Sequence, residues 1–174
     1  DLIRPQAQTG AHAMSLPGHL EAWTEAPIHA RVSGYLKSWA ADIGTRVVTG
    51  QELAVIETPE LDQELARAKA NLLRARKKAA LASITTRRWQ NLLSSHSVSK
   101  QEADERRGES EVAEADVQGA QADVDRLEAM ESFKHVAAPF SGIITNRLTD
   151  LGVLVTANNG SNPTLFTLAS TSRL

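Results

Sequence analysis

The side chains best suited to chemistry are thinly spread along this 174-residue chain. Its five histidines, His12, His19, His29, His96 and His135, form no His-x3-His or His-Glu-x-x-His pair that a helix would bring to one face. His12 and Met14 offer two soft-metal ligands without a third, so no metal site is expected. Ser94, Ser95 and Ser97 surround His96, but no neighbouring acid would orient the imidazole as a base, and a polar turn is the better reading. With no cysteine, disulfides, zinc–thiolate sites, iron–sulfur clusters and thiol nucleophiles are excluded. There is no phosphate-cradling glycine loop, so any energy source must lie in a partner. Arg74, Arg76, Lys77 and Lys78 form a basic patch without interleaved aromatics, in a chain of net charge −2. That patch reads as a solvated face, or a contact with an acidic helix of a neighbouring copy, rather than a nucleic-acid site. No catalytic residue, metal or cofactor is expected.

The elements that must position such binding surfaces follow from proline, glycine and periodicity. The prolines are at 5, 17, 27, 59, 139 and 163, leaving 60–138 without one. A long proline-free stretch rich in Ala, Leu, Glu and Arg predicts long helices. Seven aromatics are few for a single globular core of this length. No run of 18 apolar residues is present to span a membrane as a helix. The chain begins at Asp1 rather than Met, so a processed or trimmed product is expected.

Residues 28–57 read as short strands, with Val32, Tyr35, Val47, Leu53 and Ile56 strand-like and Gly34, Gly44 and Gly50 as punctuation. Helical period begins after Pro59, with Glu60, Asp62 and Glu64 complementing the dipole. The pattern breaks at Ser94–Ser97. Ser99 with Glu102 is a capping box that opens a second helix. Spacing of 4-3-4-3 in the first helix picks out Leu61, Leu65, Ala68, Leu72, Ala75, Ala79, Ala82, Thr86, Trp89 and Leu93. In the second it picks out Ala103, Arg106, Ser110, Ala113, Val117, Ala120, Val124 and Leu127. This is a coiled-coil seam, and the short link between the helices forces them antiparallel. Residues 60–93 carry eight basic and three acidic groups, net +5, and residues 99–132 four basic and eleven acidic, net −7. Opposite charge favours an intramolecular hairpin over pairing of like helices between copies.

The segments flanking the hairpin repeat each other. Ala30-Arg31-Val32-Ser33-Gly34 aligns with Ala138-Pro139-Phe140-Ser141-Gly142 at an offset of 108, and the same offset matches Asp42 to Asp150, Gly44 to Gly152 and Val47 to Val155. Repeated glycine spacing predicts the same turns built twice. Neither half buries enough alone, so the two should pair into one pseudo-twofold β unit interrupted by the hairpin.

Here a resemblance enters. Gly34, then Asp42-x-Gly44-x-x-Val47-x-x-Gly50-x-x-Leu53, resembles half a biotinyl/lipoyl domain. With Ile56-Glu57-Thr58-Pro59-Glu60-Leu61 and Ala137-Ala138-Pro139-Phe140-Ser141-Gly142-Ile143, the chain is similar over about residues 15–174 to the periplasmic adaptor (membrane fusion, HlyD-type) proteins of efflux and secretion systems. The likeness is greatest to adaptors of resistance-nodulation-division (RND) pumps. It implies an α+β fold, a split lipoyl-like domain with an inserted antiparallel helical hairpin. It also implies residence in the periplasm at the inner membrane of a Gram-negative bacterium, with self-association into a ring of six. The implied partners are an inner-membrane transporter and an outer-membrane channel. Arg88, Leu92 and Ser99 match the family's Arg-x3-Leu-x6-Ser pattern at the hairpin tip, which implies contact with the channel. Gly34, Gly44, Gly50, Gly142 and Gly152 are the expected structural turns of the repeat.

The expected divisions are residues 1–27 as an N-terminal segment that includes a first β-barrel strand, 28–58 and 135–170 as the two lipoyl halves, and 59–134 as the hairpin (helices about 60–94 and 99–132). Residues 171–174 would begin a link to a barrel and membrane-proximal region beyond Leu174. Two other readings stand beside the adaptor. One is a lipoyl or biotinyl carrier domain, disfavoured because Glu57-Thr58-Pro59 stands where a modifiable lysine is needed. The other is a purely structural coiled-coil rod, which would have no use for matched β halves.

Overall fold

The computed structural model describes residues 22, 24–157 and 163–170. The readings made for Ala13–Trp23, His12 with Met14, His19, the Asn158-Asn159-Gly160 turn and residues 171–174 fall wholly or mostly outside them.

Eight strands and two helices follow in order: β1 (Glu25–His29), β2 (Gly34–Trp39), β3 (Arg46–Val47), β4 (Glu52–Glu57), α1 (Pro59–Ser94), α2 (Lys100–Ser132), β5 (His135–Ala137), β6 (Gly142–Arg147), β7 (Leu154–Val155) and β8 (Thr164–Ala169). The first strand starts three residues ahead of the expected position 28.

Two four-stranded sheets are formed, ordered β1-β8-β6-β3 and β5-β4-β2-β7, with every pairing antiparallel. Each sheet mixes strands from before and after the hairpin. An operation that exchanges β1 with β5, β2 with β6, β3 with β7 and β4 with β8 converts one sheet into the other. Individual hydrogen bonds obey it. Gly44 donates to the carbonyl of Ile144 (2.8 Å) and Gly152 to that of Leu36 (2.9 Å). Ile144 donates to Thr45 and Leu36 to Val153, both at 3.1 Å. The sequence repeat is therefore a structural twofold, and neither half is a sheet without the other.

Alternation of strand residues places one face of each sheet inward. Leu36, Val47, Leu53 and Ile56 from the first half meet Ile144, Val155, Leu165, Phe166 and Leu168 from the second, all essentially excluded from solvent. Gly34 and Gly142 open β2 and β6 rather than forming turns. A Cβ at either would collide with a backbone carbonyl, that of Glu57 or Ala169 respectively. The strands cross too closely there for any side chain. Gly44, Gly50 and Gly152 take positive φ (82°, 80° and 76°) in the connecting turns.

Helices of 36 and 33 residues project from β4 and return to β5. At 1.5 Å per residue the rod is about 50 Å long. All eighteen seam positions face inward, buried or half-buried. Leu65, Leu72, Val124 and Leu127 fill the base, and Leu61 and Phe133 join the rod to the sandwich core. Towards the tip the seam narrows to Ala103, Ser110, Ala113 and Thr86. Thr86 satisfies its buried hydroxyl by donating to the Arg106 carbonyl (2.7 Å). Cross-helix ion pairs link Lys69 to Glu128 (2.9 Å) and Lys78 to Asp116 (2.8 Å). Arg76 donates to Gln121 (2.7 Å). With Arg74 donating to Asn71 (3.3 Å), three of the four basic side chains at residues 74–78 are engaged within their own hairpin. Each such exposed pair contributes about 0–1 kcal/mol, and the set fixes pairing and register rather than stability.

Candidate functional site

The hairpin tip is built by two caps of different chemistry. α1 ends in a Schellman arrangement: His96 donates to the Leu93 carbonyl and Ser97 to the Leu92 carbonyl, both at 2.9 Å. His96 sits at φ 56°, the left-handed position that glycine usually fills. Ser94 and Ser95 turn their hydroxyls back onto the carbonyls of Asn91 and Leu92 (2.7 and 2.9 Å). These serines close the helix end and leave no hydroxyl poised as a nucleophile.

α2 opens with the capping box complete. Glu102 N–H donates to Ser99 Oγ (3.3 Å), and Ser99 N–H donates to Glu102 Oε2 (2.9 Å). Those bonds, the backbone one first and the Ser99 hydroxyl second, hold the Glu102 carboxyl below the usual carboxylate range.

Around this frame lie the three residues of the tip pattern. Arg88 is exposed on α1, and no hydrogen bond or ion pair ties it to another described residue. Leu92, one turn further on, is 37% exposed, whereas its neighbour Leu93 is turned into the seam. Ser99 lies across the turn with its hydroxyl held by Glu102 (2.9 Å). Arg88 and Leu92 share one face by their i, i+4 spacing. The arrangement presents a free guanidinium, an apolar side chain and a rigid turn at the end of a rod. It suits capture of carbonyls or carboxylates at the end of a partner helix. Near it Trp89 is half-buried beneath the Arg106 guanidinium, 5.5 Å from the ring centroid.

One apolar surface lies outside the seam. Leu81 and Val112, 67% and 62% exposed, flank a groove of about 510 Å³ midway along the hairpin. The available signal was their apolar type at off-seam positions. Among the described residues no group of three His, Cys, Asp or Glu side chains could hold a metal ion. No described helix is long and apolar enough to cross a membrane.

A twofold β-sandwich split by a helical hairpin defines the class of barrel-sandwich hybrid domains. The profile of the family described as CzcB-like, barrel-sandwich hybrid domain matches residues 24–170, and the chain belongs to that family. Over 147 residues it is 32% identical to the multidrug resistance protein MdtE of Escherichia coli (strain K12), covering 84% of this chain and 38% of that protein. Over 166 residues it is 34% identical to the solvent efflux pump periplasmic linker SrpA of Pseudomonas putida, covering 95% and 39%. The chain therefore spans about two-fifths of the length of these curated relatives. Two solved structures share the fold. A MacA–MexA chimeric protein containing the Pseudomonas aeruginosa MexA α-hairpin domain superposes with TM-score 0.64 at 23% identity, covering 86% of this chain and 49% of that one. ZneB from Cupriavidus metallidurans gives 0.63 at 20%, covering 87% and 64%.

Proposed function

We propose that this chain is the hairpin-bearing part of a non-enzymatic periplasmic adaptor, linking an inner-membrane transporter of the RND type to an outer-membrane channel. The split β unit carrying a 50 Å rod is the observation that carries the reading. A rod rooted in a rigid sandwich by Leu61 and Phe133 transmits position over a distance that a compact domain does not span. The relative described as a solvent efflux pump periplasmic linker supports the same role and a periplasmic residence, and in this reading the chain works beside the inner membrane.

In this reading copies of the sandwich pack side by side into a ring, six by family likeness, and their hairpins form a tube. Arg88 and Leu92 meet the channel at the tip, and Ser99 sets the turn that presents them. The carrier-domain reading loses ground because β4 runs through Glu57 straight into α1 at Pro59, with no lysine at that junction.

The experiment replaces the matching segment of MdtE by residues 24–170 of this chain and measures drug export in an export-deficient strain. The chimera is expected to restore export. Arg88→Ala and Leu92→Ala are expected to abolish it at equal expression and unchanged helicity. Undiminished export by both variants removes the tip assignment.

A further inference from the structure

The turn that closes the hairpin carries a side chain that the fold does not use. Ser95, His96, Ser97, Val98 and Ser99 join α1 to α2. Three of these five are serines, and each hydroxyl is committed. Ser95 donates to the Leu92 carbonyl (2.9 Å) and shares a hydrogen bond with Ser97 (3.0 Å). Ser99 donates to the Glu102 carboxylate (2.9 Å) and accepts from the Glu102 amide (3.3 Å). Val98 is apolar and half-buried. His96 is the one uncommitted polar side chain of the turn, exposed and tied by no hydrogen bond or ion pair to another described residue.

The backbone makes this choice of residue informative. Among the described residues four take positive φ: Gly44 (82°), Gly50 (80°), Gly152 (76°) and His96 (56°). In the sandwich every such position is glycine, which enters the left-handed region without steric penalty. The tip makes the same demand. The His96 amide donates to the Leu93 carbonyl (2.9 Å) at the helix end, where glycine is the usual residue. An L side chain there brings Cβ close to the following carbonyl oxygen. Histidine enters this region more readily than most residues, yet glycine would close the cap with less strain. The fold therefore gives the imidazole no task of its own, and strain held at an exposed position points outward, to a partner.

The imidazole also supplies what the other tip residues lack. Arg88 donates hydrogen bonds and accepts none, Leu92 does neither, and the Ser99 hydroxyl is engaged by Glu102. An imidazole has a nitrogen that can accept as well as one that can donate. The Ser97 amide, bonded to the Leu92 carbonyl (2.9 Å), folds the His96 segment back over the end of the helix that carries Arg88 and Leu92. We infer that His96 is a specificity-determining contact of the tip, its imidazole accepting a hydrogen bond from an N–H group of the channel beside the carbonyl or carboxylate taken by Arg88. The inference rests on the adaptor reading and deepens it, because docking then requires a partner end that presents donors and acceptors together. A surface of acceptors alone satisfies Arg88 and leaves the imidazole acceptor desolvated and unpaired, which is how a polar contact rejects a wrong partner.

Glycine and asparagine separate the side chain from the backbone. Both accept the left-handed conformation, but only asparagine keeps an acceptor and a donor. His96→Gly and His96→Asn are placed in the MdtE chimera and compared, at equal expression, with the unaltered chimera and with Arg88→Ala. His96→Gly is expected to lower drug export about fivefold, the loss of one hydrogen bond, with a melting temperature no lower than that of the unaltered chimera. His96→Asn is expected to keep export within about twofold. If the imidazole only fills the cap, glycine fills it as well and exports fully, and that result overturns the proposal. A lower melting temperature for His96→Gly overturns it too, because the side chain then supports the fold. So does export by His96→Asn that is no better than by His96→Gly. In each of these cases the adaptor reading stands as long as the unaltered chimera exports and Arg88→Ala does not. An unaltered chimera that fails to export removes that reading and the role of His96 with it.

Discussion

At Glu102 a single carboxylate holds the start of α2. Its depressed pKa has a definite thermodynamic sign. A carboxyl that is more acidic folded than unfolded adds stability above its ordinary range, and that stability is lost as pH falls through the folded value. Asp42 behaves likewise, lowered first by the Ile43 amide and then by Arg147. Acid is therefore expected to loosen the tip. Hydrogen exchange at the Ser99 amide should accelerate as pH falls below the usual glutamate value, after correction for intrinsic rates. Glu102→Gln should flatten that dependence. Gly142 illustrates a different constraint. Its missing Cβ leaves room for the Ala169 carbonyl, so Gly142→Ala is expected to cost about 1–3 kcal/mol, as overpacking of a tight core does. Urea denaturation measures it.

The helices obey another balance. Gly119 lies in the interior of α2 with open space around it. A glycine there costs about 0.5–1 kcal/mol relative to alanine, through the backbone freedom it loses on folding. Gly119→Ala is expected to stabilise the hairpin by that amount, the opposite sign to Gly142→Ala, in the same denaturation assay. The seam explains why two thin helices hold together. Leucines and valines anchor the base, and small residues nearer the tip let the backbones approach. The low aromatic content follows from this geometry, since a two-helix seam has little interior for large rings, and Trp89, the one aromatic in it, is only half-buried.

Across the whole molecule the hairpin is an insertion, and the sandwich closes without it. β4 and β5 are already paired to each other where the rod leaves and returns. Replacing residues 60–134 by a short loop is expected to leave a cooperatively folding β protein, checked by far-ultraviolet dichroism and thermal melting. The same deletion should end export in the chimera, because nothing then spans the distance to the channel. An unfolded product would restore the coiled-coil rod as the better reading.

Most of this architecture was legible in the chain because it is written in local periods. Proline at 59 and 139 brackets the helices, the 4-3 spacing names the seam, and Ser99 with Glu102 marks a cap whose partners are three residues apart. The 108-residue offset announced two equivalent halves. The Arg88 and Leu92 surface was legible only through resemblance, since an exposed arginine beside a leucine has no signature of its own. Other features depended on pairing between residues about a hundred positions apart. The exchange of strands between sheets, which makes each half incomplete, arises because β2 finds β7 and β3 finds β6. The bridge from Arg147 to both Asp42 and Asp150 exists only once that exchange has brought the two halves together. The sequence determined by itself the elements, their order and their duplication, because propensity and periodicity act over a few residues. The tertiary structure decided which surfaces meet at the axis and which remain open to a partner, because long-range burial and edge pairing select them.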